Sequence, residues 1–298
     1  MISGQYLRQR VAIIRAARTF FEERDYLEVE TPVRLPVLAP EVWIDPETSG
    51  DHFLQTSPEL CMKRLLAAGH ARLFQICRCF RKGERGRHHL PEFSMLEWYR
   101  AGIDYRGLID ECEELIKSVI LECGSSKIFP ELAGRFDIEE PWQRITVAEA
   151  FKKFADSDVD SALSSGRYEE VLVGQVEPRL KEPTFLYDYP VELASLARVR
   201  PGGPAVAERF ELYLGGIELA NGFSELVDPL EQRQRFERDR QKIVAAGRDP
   251  GPMPERFLKT LDVVPDAAGI ALGMDRLVMI LTGADRIDEV VSFIPEEL

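Results

Sequence analysis

Residues 71–101, ARLFQICRCFRKGERGRHHLPEFSMLEWYRA, decide the fold class. Apolar and aromatic side chains crowd both ends. Between them KGERGRHHLP holds two glycines and a proline, the punctuation of a turn. The stretch therefore reads as a strand over 71–81, a loop, and a return strand over 92–101. A hairpin pairs its arms antiparallel, whereas parallel neighbours need a long crossover. The pattern recurs in RFELYLGGIELANGFSEL (209–226), folded back at Gly215-Gly216. Nearer the C-terminus, AGIALGMDRLVMILTG (268–283) reads as a buried strand running into a buried helix. Strands joined mostly by hairpins predict an antiparallel sheet flanked by helices, an α+β fold.

Outward from these segments, Ser3 is placed to cap a helix over 4–24, with Leu7, Val11, Ile14 and Phe21 at helical spacing. YLEVETP is a short strand closed by Pro32, and 34–52 reads as loop. Ser57-Pro58-Glu59 opens a helix that runs to near Gly69, with Ser as N-cap, Pro at the first helical position and Glu at the positive end. An amphipathic helix follows over 105–122. Asp228-Pro229 starts a charged helix reaching about Ala246, with Gly247 just past its end. Residues 125–207 hold short helical pieces and an RVRPGGP loop. They carry the weakest pattern and are read as an insertion that covers a cleft.

The chain has 298 residues, enough for one large domain or two ordinary ones. We expect a single catalytic domain over 1–298. With 38 Lys and Arg against 51 Asp and Glu the formal charge is −13. That charge repels polyanions at long range and argues against a chain whose main task is gripping nucleic acid. The basic groups are concentrated, however. Residues 63–106 hold ten Lys and Arg and four acids, a local +6 that suits a small polyphosphate; a solvated basic face is the alternative. No apolar run approaches the roughly 20 residues of a membrane span. Arg8, Arg10, Arg15 and Arg18 exclude a secretory signal at the N-terminus. Five cysteines without a CxxC pair fit a reduced, cytoplasmic protein. Cys77-x-Cys79 with His88 and His89 lacks the second cysteine pair that would complete a zinc tetrahedron.

Candidate chemistry sits in the same segments. Arg81 ends the first strand of the 71–101 hairpin, Phe93 begins the second, and the loop carries Lys82, Glu84, Arg85 and Arg87. Guanidinium forks suit phosphate, and an aromatic beside them can stack on a base. A charged tip that only keeps the protein soluble has the same composition. On the return strand Phe93, Glu97 and Tyr99 alternate onto one face. A carboxylate and a phenol there can hold an ammonium group, or the tyrosine can simply be core. In the Gly-Gly hairpin Glu211 and Glu218 share a face, about 7–8 Å apart by backbone spacing. Two such carboxylates need a cation between them, as when Mg²⁺ bridges to phosphates, unless both face solvent. Asn221 and Glu225, four apart, share a face; Glu218 and Glu225, seven apart, do not in an uninterrupted strand. Gathering all three into one site requires the strand to bulge or end near Gly222. In GIALGMDRL, Gly273 allows close approach to a ligand, Asp275 sits at the positive end of a helix, and Arg276 can reach a terminal phosphate. No GxxxxGK[ST], GxGxxG or nucleophile elbow is present. Phosphate chemistry here must rest on positioning and electrostatics.

In order and together, these segments resemble the catalytic domain of class II aminoacyl-tRNA synthetases of the lysyl type. The helix over 4–24 with LEVETP is similar to motif 1, FRKGERGRHHLPEFSMLEWY to motif 2, and GIALGMDRL to motif 3. TSPELCMKRLL and GIELANGFSEL are similar to the lysine-pocket segments. The departures are informative. The chain starts at motif 1, without the anticodon-binding barrel of lysyl synthetases, so no stable tRNA binding is expected. Ala271 stands where those enzymes carry a glycine in the floor of the amino-acid pocket. Gly83 stands where motif 2 has a glutamate that reads adenine, with Glu84 one residue on. With LEWYR and GIELANGF, these features resemble the truncated lysyl-synthetase paralogues that modify elongation factor P.

The resemblance implies a cytoplasmic ligase using ATP and Mg²⁺, dimeric through motif 1. It implies that (R)-β-lysine, or lysine, is activated as an acyl-adenylate and passed to a lysine side chain of elongation factor P. A free-standing enzyme charging tRNA or another amine acceptor, and a synthetase-like module without activity, are the competing readings. By the same resemblance Arg81 holds the α-phosphate and Arg276 the γ-phosphate as catalytic residues. Lys82, Gly83, Glu84, Leu90, Phe93, Glu218, Leu219 and Gly273 complete the ATP site, with Phe93 stacked on adenine, and Glu211 and Glu218 carry Mg²⁺. Ser57, Pro58, Glu59, Tyr99, Asn221, Glu225 and Ala271 line the amino-acid pocket. Glu59 faces the amine at the reacting end, and Tyr99 and Glu225 the distal ammonium.

Overall fold

The computed structural model describes residues 3–125, 127–129, 136–203 and 205–298. Its strands are β1 (Leu27–Glu28), β2 (Arg34–Leu35), β3 (Thr48–Ser49), β4 (His52–Leu54), β5 (Arg72–Phe80), β6 (Glu92–Ala101), β7 (Gln143–Thr146), β8 (Thr184–Pro190), β9 (Val206–Leu214), β10 (Ile217–Ser224) and β11 (Ala267–Gly273). The helices are α1 (Gly4–Glu22), α2 (Glu59–Ala67), α3 (Tyr105–Gly124), α4 (Val147–Phe154), α5 (Val159–Ser164), α6 (Tyr168–Val171), α7 (Pro229–Ala245), α8 (Glu255–Leu258) and α9 (Met274–Thr282). Among the described residues no helix is long and apolar enough to cross a membrane.

Among the same residues eight strands form one sheet, in the order β1-β5-β6-β11-β10-β9-β8-β7. Its centre is antiparallel, as the hairpins predict, and each edge adds one parallel pair, β1 on β5 and β7 on β8. Strand β11 is last in the chain yet lies between the two hairpins, paired with β6 on one side and β10 on the other. Residues 34–52 are not all loop: β2 and β3 pair with β4 as a small separate sheet. Strands of two or three residues are too short for periodicity to register.

Local signals hold at most helix ends. Ser3 Oγ accepts from the Tyr6 N–H, and the Asp228 side chain accepts from the Leu230 and Glu231 N–H groups. Helix α2 begins one residue later than read, with Pro58 as its N-cap, although Ser57 Oγ still accepts from the Glu59 N–H at 3.0 Å. Within 125–207, residues 126, 130–135 and 204 lie outside the described residues. The rest supplies β7 and β8, which extend the sheet past β9. It also supplies α4–α6, where Val147, Phe151, Tyr168 and Val171 pack with Leu186, Tyr189 and Tyr213 as a second core.

Period-two alternation divides the main sheet into two chemically different faces. One face carries Phe74, Trp98, Leu96, Ile270, Leu272, Phe210 and Phe185, all buried. They pack on α1, α3 and α9 through Ile13, Phe20, Phe21, Leu108, Leu115 and Leu277. Phe21 stacks on Phe74 at 4.7 Å between ring centroids and lies 5.3 Å from Trp98. Each such burial is worth about 1.5–3 kcal/mol, so this face holds the fold together. The opposite face is polar and runs in register rows. Gln75, Glu97, Ala271, Asn221 and Glu211 form one row, and Leu73, Tyr99, Gly269, Phe223 and Arg209 the next.

Candidate active site

The β9–β10 hairpin turns at Gly215 and Gly216, with φ of 61° and 77°, values that favour glycine. Glu218 stands opposite Tyr213; the register then jumps to Ala220 opposite Leu212 and Asn221 opposite Glu211. Leu219 is therefore the extra residue of a bulge. The interruption expected near Gly222 lies earlier, between Glu218 and Ala220. It has the effect that parity demands: one inserted residue returns Glu218 to the face of Asn221 and Glu225. Gly222 serves the opposite face, where a Cβ would stand 2.7 Å from the Phe210 ring.

At the end expected to take the amino acid, Ser57 Oγ donates to Glu97 Oε1 at 2.6 Å and Tyr99 OH donates to Glu97 Oε2 at 2.8 Å. Desolvation, then the facing Glu59, push the Glu97 carboxyl up to about 8. Glu225, just past β10, is also driven to about 8, by desolvation against the opposing charge of Lys63. Its Oε1 has no hydrogen-bond partner. Lys63 on α2 is buried and forms ion pairs with both Glu59 and Glu225. Gly269 lets β11 pass close by: a Cβ there would stand 2.3 Å from Tyr99 Cε1 and 2.5 Å from Glu225 Oε1. Pro58 is buried at the start of α2, and Ala271 sits in register between Glu97 and Asn221. Lys63 and Gly269 go unread in the sequence, though each left a signal. Glu59 and Lys63 are four apart on a predicted helix, and Gly269 interrupts a strand pattern.

At the other end, Arg81 follows β5 with its guanidinium carbon 5.2 Å from the Phe93 ring centroid and Nη1 3.8 Å from Glu84 Oε1. Arg81 Nε is buried without a hydrogen-bond partner. The Lys82 N–H donates to the Asp45 carbonyl at 2.7 Å, Gly83 takes a φ of 74°, and Leu90 is buried beneath the loop's return. Arg276, in the first turn of α9, donates to the Glu218 carbonyl at 2.7 Å, the His88 carbonyl at 3.3 Å and His89 Nε2 at 2.6 Å. Desolvation, then Arg276, push His89 down to about 4, so it faces the guanidinium as a neutral acceptor. The two histidines thus hold Arg276. At Gly273 a Cβ would meet Arg276 only at ordinary contact distance, 3.5 Å. Asp275 is committed to the fold: its Oδ2 accepts from the Ser94 N–H at 2.7 Å and its Oδ1 pairs with Arg10 of α1. Glu41 is a further carboxyl absent from the sequence expectation. Thr56 Oγ1 donates to it at 3.2 Å, and desolvation, opposed by Arg81, moves it up to about 7.

Glu211 uses both oxygens within the protein. Oε1 accepts from Arg209 at 2.6 Å and Asn221 at 3.4 Å; Oε2 accepts from Tyr189 at 2.6 Å and Tyr213 at 2.7 Å. Glu218 is freer. Among the described residues no hydrogen bond reaches its carboxylate, and Arg276 Nη1 lies 3.6 Å away. Desolvation, then Glu211, push Glu218 up to about 7, the mark of a carboxylate short of positive charge. Two carboxylates on one face are hard oxygen donors of the kind Mg²⁺ takes, with Glu218 the more available.

The family model for class II tRNA synthetases (D, K and N) matches residues 3–297. A Vibrio campbellii protein named elongation factor P–(R)-β-lysine ligase is 40% identical, over 98% of this chain and 96% of its own. Proteins of the same name from Erwinia tasmaniensis and Klebsiella pneumoniae are each 40% identical, over 96% of this chain and 94% of theirs. The match spans the polar sheet face and every motif on it, from α1 to the strand and helix that hold Arg276. This chain belongs to the class II tRNA synthetases of the D, K and N group.

Proposed function

We propose that this chain is an ATP-dependent ligase that activates (R)-β-lysine as an acyl-adenylate and transfers the acyl group to a lysine side chain of elongation factor P. One observation carries the reading, a pair of unmet demands in one site. Arg81 Nε is a buried donor without an acceptor, and Glu225 Oε1 is a buried acceptor without a donor. Buried polar groups are normally satisfied. A ligand bearing phosphate at one end and ammonium at the other meets both demands. The names of the relatives, at about 40% identity over nearly the whole chain, support the same chemistry.

In this reading the substrate carboxylate attacks the α-phosphorus and pyrophosphate leaves. Arg81 holds the α-phosphate, Arg276 the γ-phosphate, and Phe93 stacks on adenine beside Arg81. Lys82, Gly83, Glu84, Leu90, Leu219 and Gly273 complete the nucleotide site. Glu218, with Glu211, would hold Mg²⁺, which neutralises phosphate charge when bound. Glu59 takes the amine nearest the carboxylate, and Glu225 and Tyr99 the distal ammonium. Ser57, Pro58, Asn221 and Ala271 shape the pocket. The acceptor ε-amine then attacks the acyl carbon; the amide bond forms and AMP leaves. Such catalysis is positioning plus electrostatic stabilisation, with no covalent bond to the protein. Leu7 and Val11, exposed on α1, form the homodimer face in this reading.

The test is the intact mass of elongation factor P after incubation with this protein, ATP, Mg²⁺ and each lysine isomer. The expected product is a single β-lysyl adduct from (R)-β-lysine. An unchanged mass with every isomer refutes the ligase, and a preference for α-lysine refutes the β-lysine assignment.

A further inference from the structure

We infer that Lys63 is a positioning residue for the amino-acid pocket. It bridges Glu59 and Glu225, fixes the two carboxylates relative to each other, and sets the pocket's charge to match a substrate with two ammonium groups.

Lys63 is 1% exposed, and lysine is almost never so buried unless it is paired. Its Nζ reaches Glu59 Oε1, on its own helix, and Glu225 Oε2, just past β10. Aromatic rings close the remaining sides, Phe223 at 5.1 Å and Phe257 at 6.0 Å from Nζ. The titratable groups around it are Glu59 from α2, Glu97 and Tyr99 from β6, and Glu225; β11 and α8 bring Gly269 and Phe257, which carry no charge.

Three carboxylates and one ammonium leave a net charge of −2 when all are ionised. That is equal and opposite to the two ammonium groups of a diamino acid. The bridge also divides the carboxylate oxygens. Glu225 Oε2 belongs to Lys63, while Oε1 remains without a hydrogen-bond partner, open to a ligand. Without Lys63 the three carboxylates would repel one another in a desolvated site and take up protons, losing their hold on an ammonium group. Lys63 thus limits that proton uptake: with it in place desolvation already raises Glu97 and Glu225 to about 8, and its positive charge opposes a further rise. This inference rests on the function proposed above.

The experiment is amino-acid-dependent ATP–pyrophosphate exchange by wild type, Lys63→Met and Lys63→Arg between pH 6.5 and 8.5. In K63M the KM for (R)-β-lysine at pH 7 should rise about 10- to 100-fold. It should recover by up to about tenfold per pH unit as the carboxylates regain charge. The KM for ATP should stay within about twofold. K63R keeps the charge and alters the spacing. It should raise the amino-acid KM by about 3- to 10-fold, with the same pH dependence as wild type and with ATP KM unchanged. K63R also decides the matter if K63M does not fold. An amino-acid KM within about threefold of wild type in folded K63M, or unchanged in K63R, overturns the bridge. So does a loss shared equally by kcat and both KM values with no recovery at higher pH. Wild type inactive with every lysine isomer would instead refute the functional reading beneath it.

Discussion

Gly269→Ala is the sharpest probe of the pocket. The added Cβ would stand 2.3 and 2.4 Å from two Tyr99 ring carbons and 2.5 Å from Glu225 Oε1, where ordinary contact begins near 3.4 Å. About 1 Å must be found, and neither neighbour can give it locally. The Tyr99 ring is buried and its hydroxyl is bonded to Glu97 at 2.8 Å, while Glu225 is paired with Lys63. The two groups proposed to read the distal ammonium are therefore driven apart. A misplacement of about 1 Å in a binding site costs on the order of 10²-fold. Overpacking itself costs about 1–3 kcal/mol of stability. The assay is ATP–pyrophosphate exchange with (R)-β-lysine. The amino-acid KM should rise roughly 100-fold while the ATP KM stays within about twofold, because Arg81 and Arg276 sit on other elements. A folded variant whose amino-acid KM moves less than about threefold would refute the placement of Tyr99 and Glu225 around the substrate.

The same strand pairing gives a control and two companions. Gly222→Ala adds its methyl on the apolar face, 2.7 Å from Phe210 and 3.0 Å from Ile270. It should lower unfolding free energy by about 1–3 kcal/mol in denaturant titration and leave the exchange KM values unchanged. Ala271→Gly removes one methyl between Glu97 and Asn221. It should shift the α-lysine to (R)-β-lysine ratio of kcat/KM toward α-lysine by roughly 10- to 200-fold, read in parallel exchange assays. Glu97 and Glu225 are raised to about 8, and Glu41 and Glu218 to about 7. Between the ordinary carboxylate value and about 8 the folded protein therefore holds more protons than the unfolded chain. The thermal midpoint of the ligand-free protein should fall as pH rises through that window, and Glu97→Gln should shallow the slope in a thermal-shift series.

What the sequence made legible was local. The 71–101 hairpin announces itself because both arms and the turn lie within one window, and period-two parity alone places Phe93, Glu97 and Tyr99 on one face. Parity also exposes the conflict between Glu218 and Glu225, and so the need for a bulge. It does not say where, because Leu219 carries no chemical mark of an extra residue; glycine drew attention to 222. The insertion of β11 between two hairpins is a non-local pairing that no window contains. Lys63 was hidden by company. In a basic stretch it reads as surface charge, and only the approach of Glu225, 162 positions later, turns it into a buried bridge. Glu41 lies in a proline-spaced loop whose path periodicity cannot trace.

The two faces of the sheet explain why a site so rich in buried acid can exist at all. Glu97 and Glu225 each carry a desolvation cost when ionised, and a fold held by polar contacts alone would not sustain it. Here the opposite face, with Phe74, Trp98, Phe210 and Ile270 packed on three helices, supplies stability that does not depend on the site's charge state. The polar face is then free to remain under-neutralised until its ligands arrive. On the proposed function, selectivity follows from the same imbalance. A neutral amino acid of similar length fills the space but leaves Glu225 Oε1 without a hydrogen-bond partner, and a buried polar atom left unsatisfied costs about 1–3 kcal/mol. A diammonium substrate removes that penalty. Discrimination thus comes more from the carboxylate stranded in the wrong complex than from any added attraction in the right one.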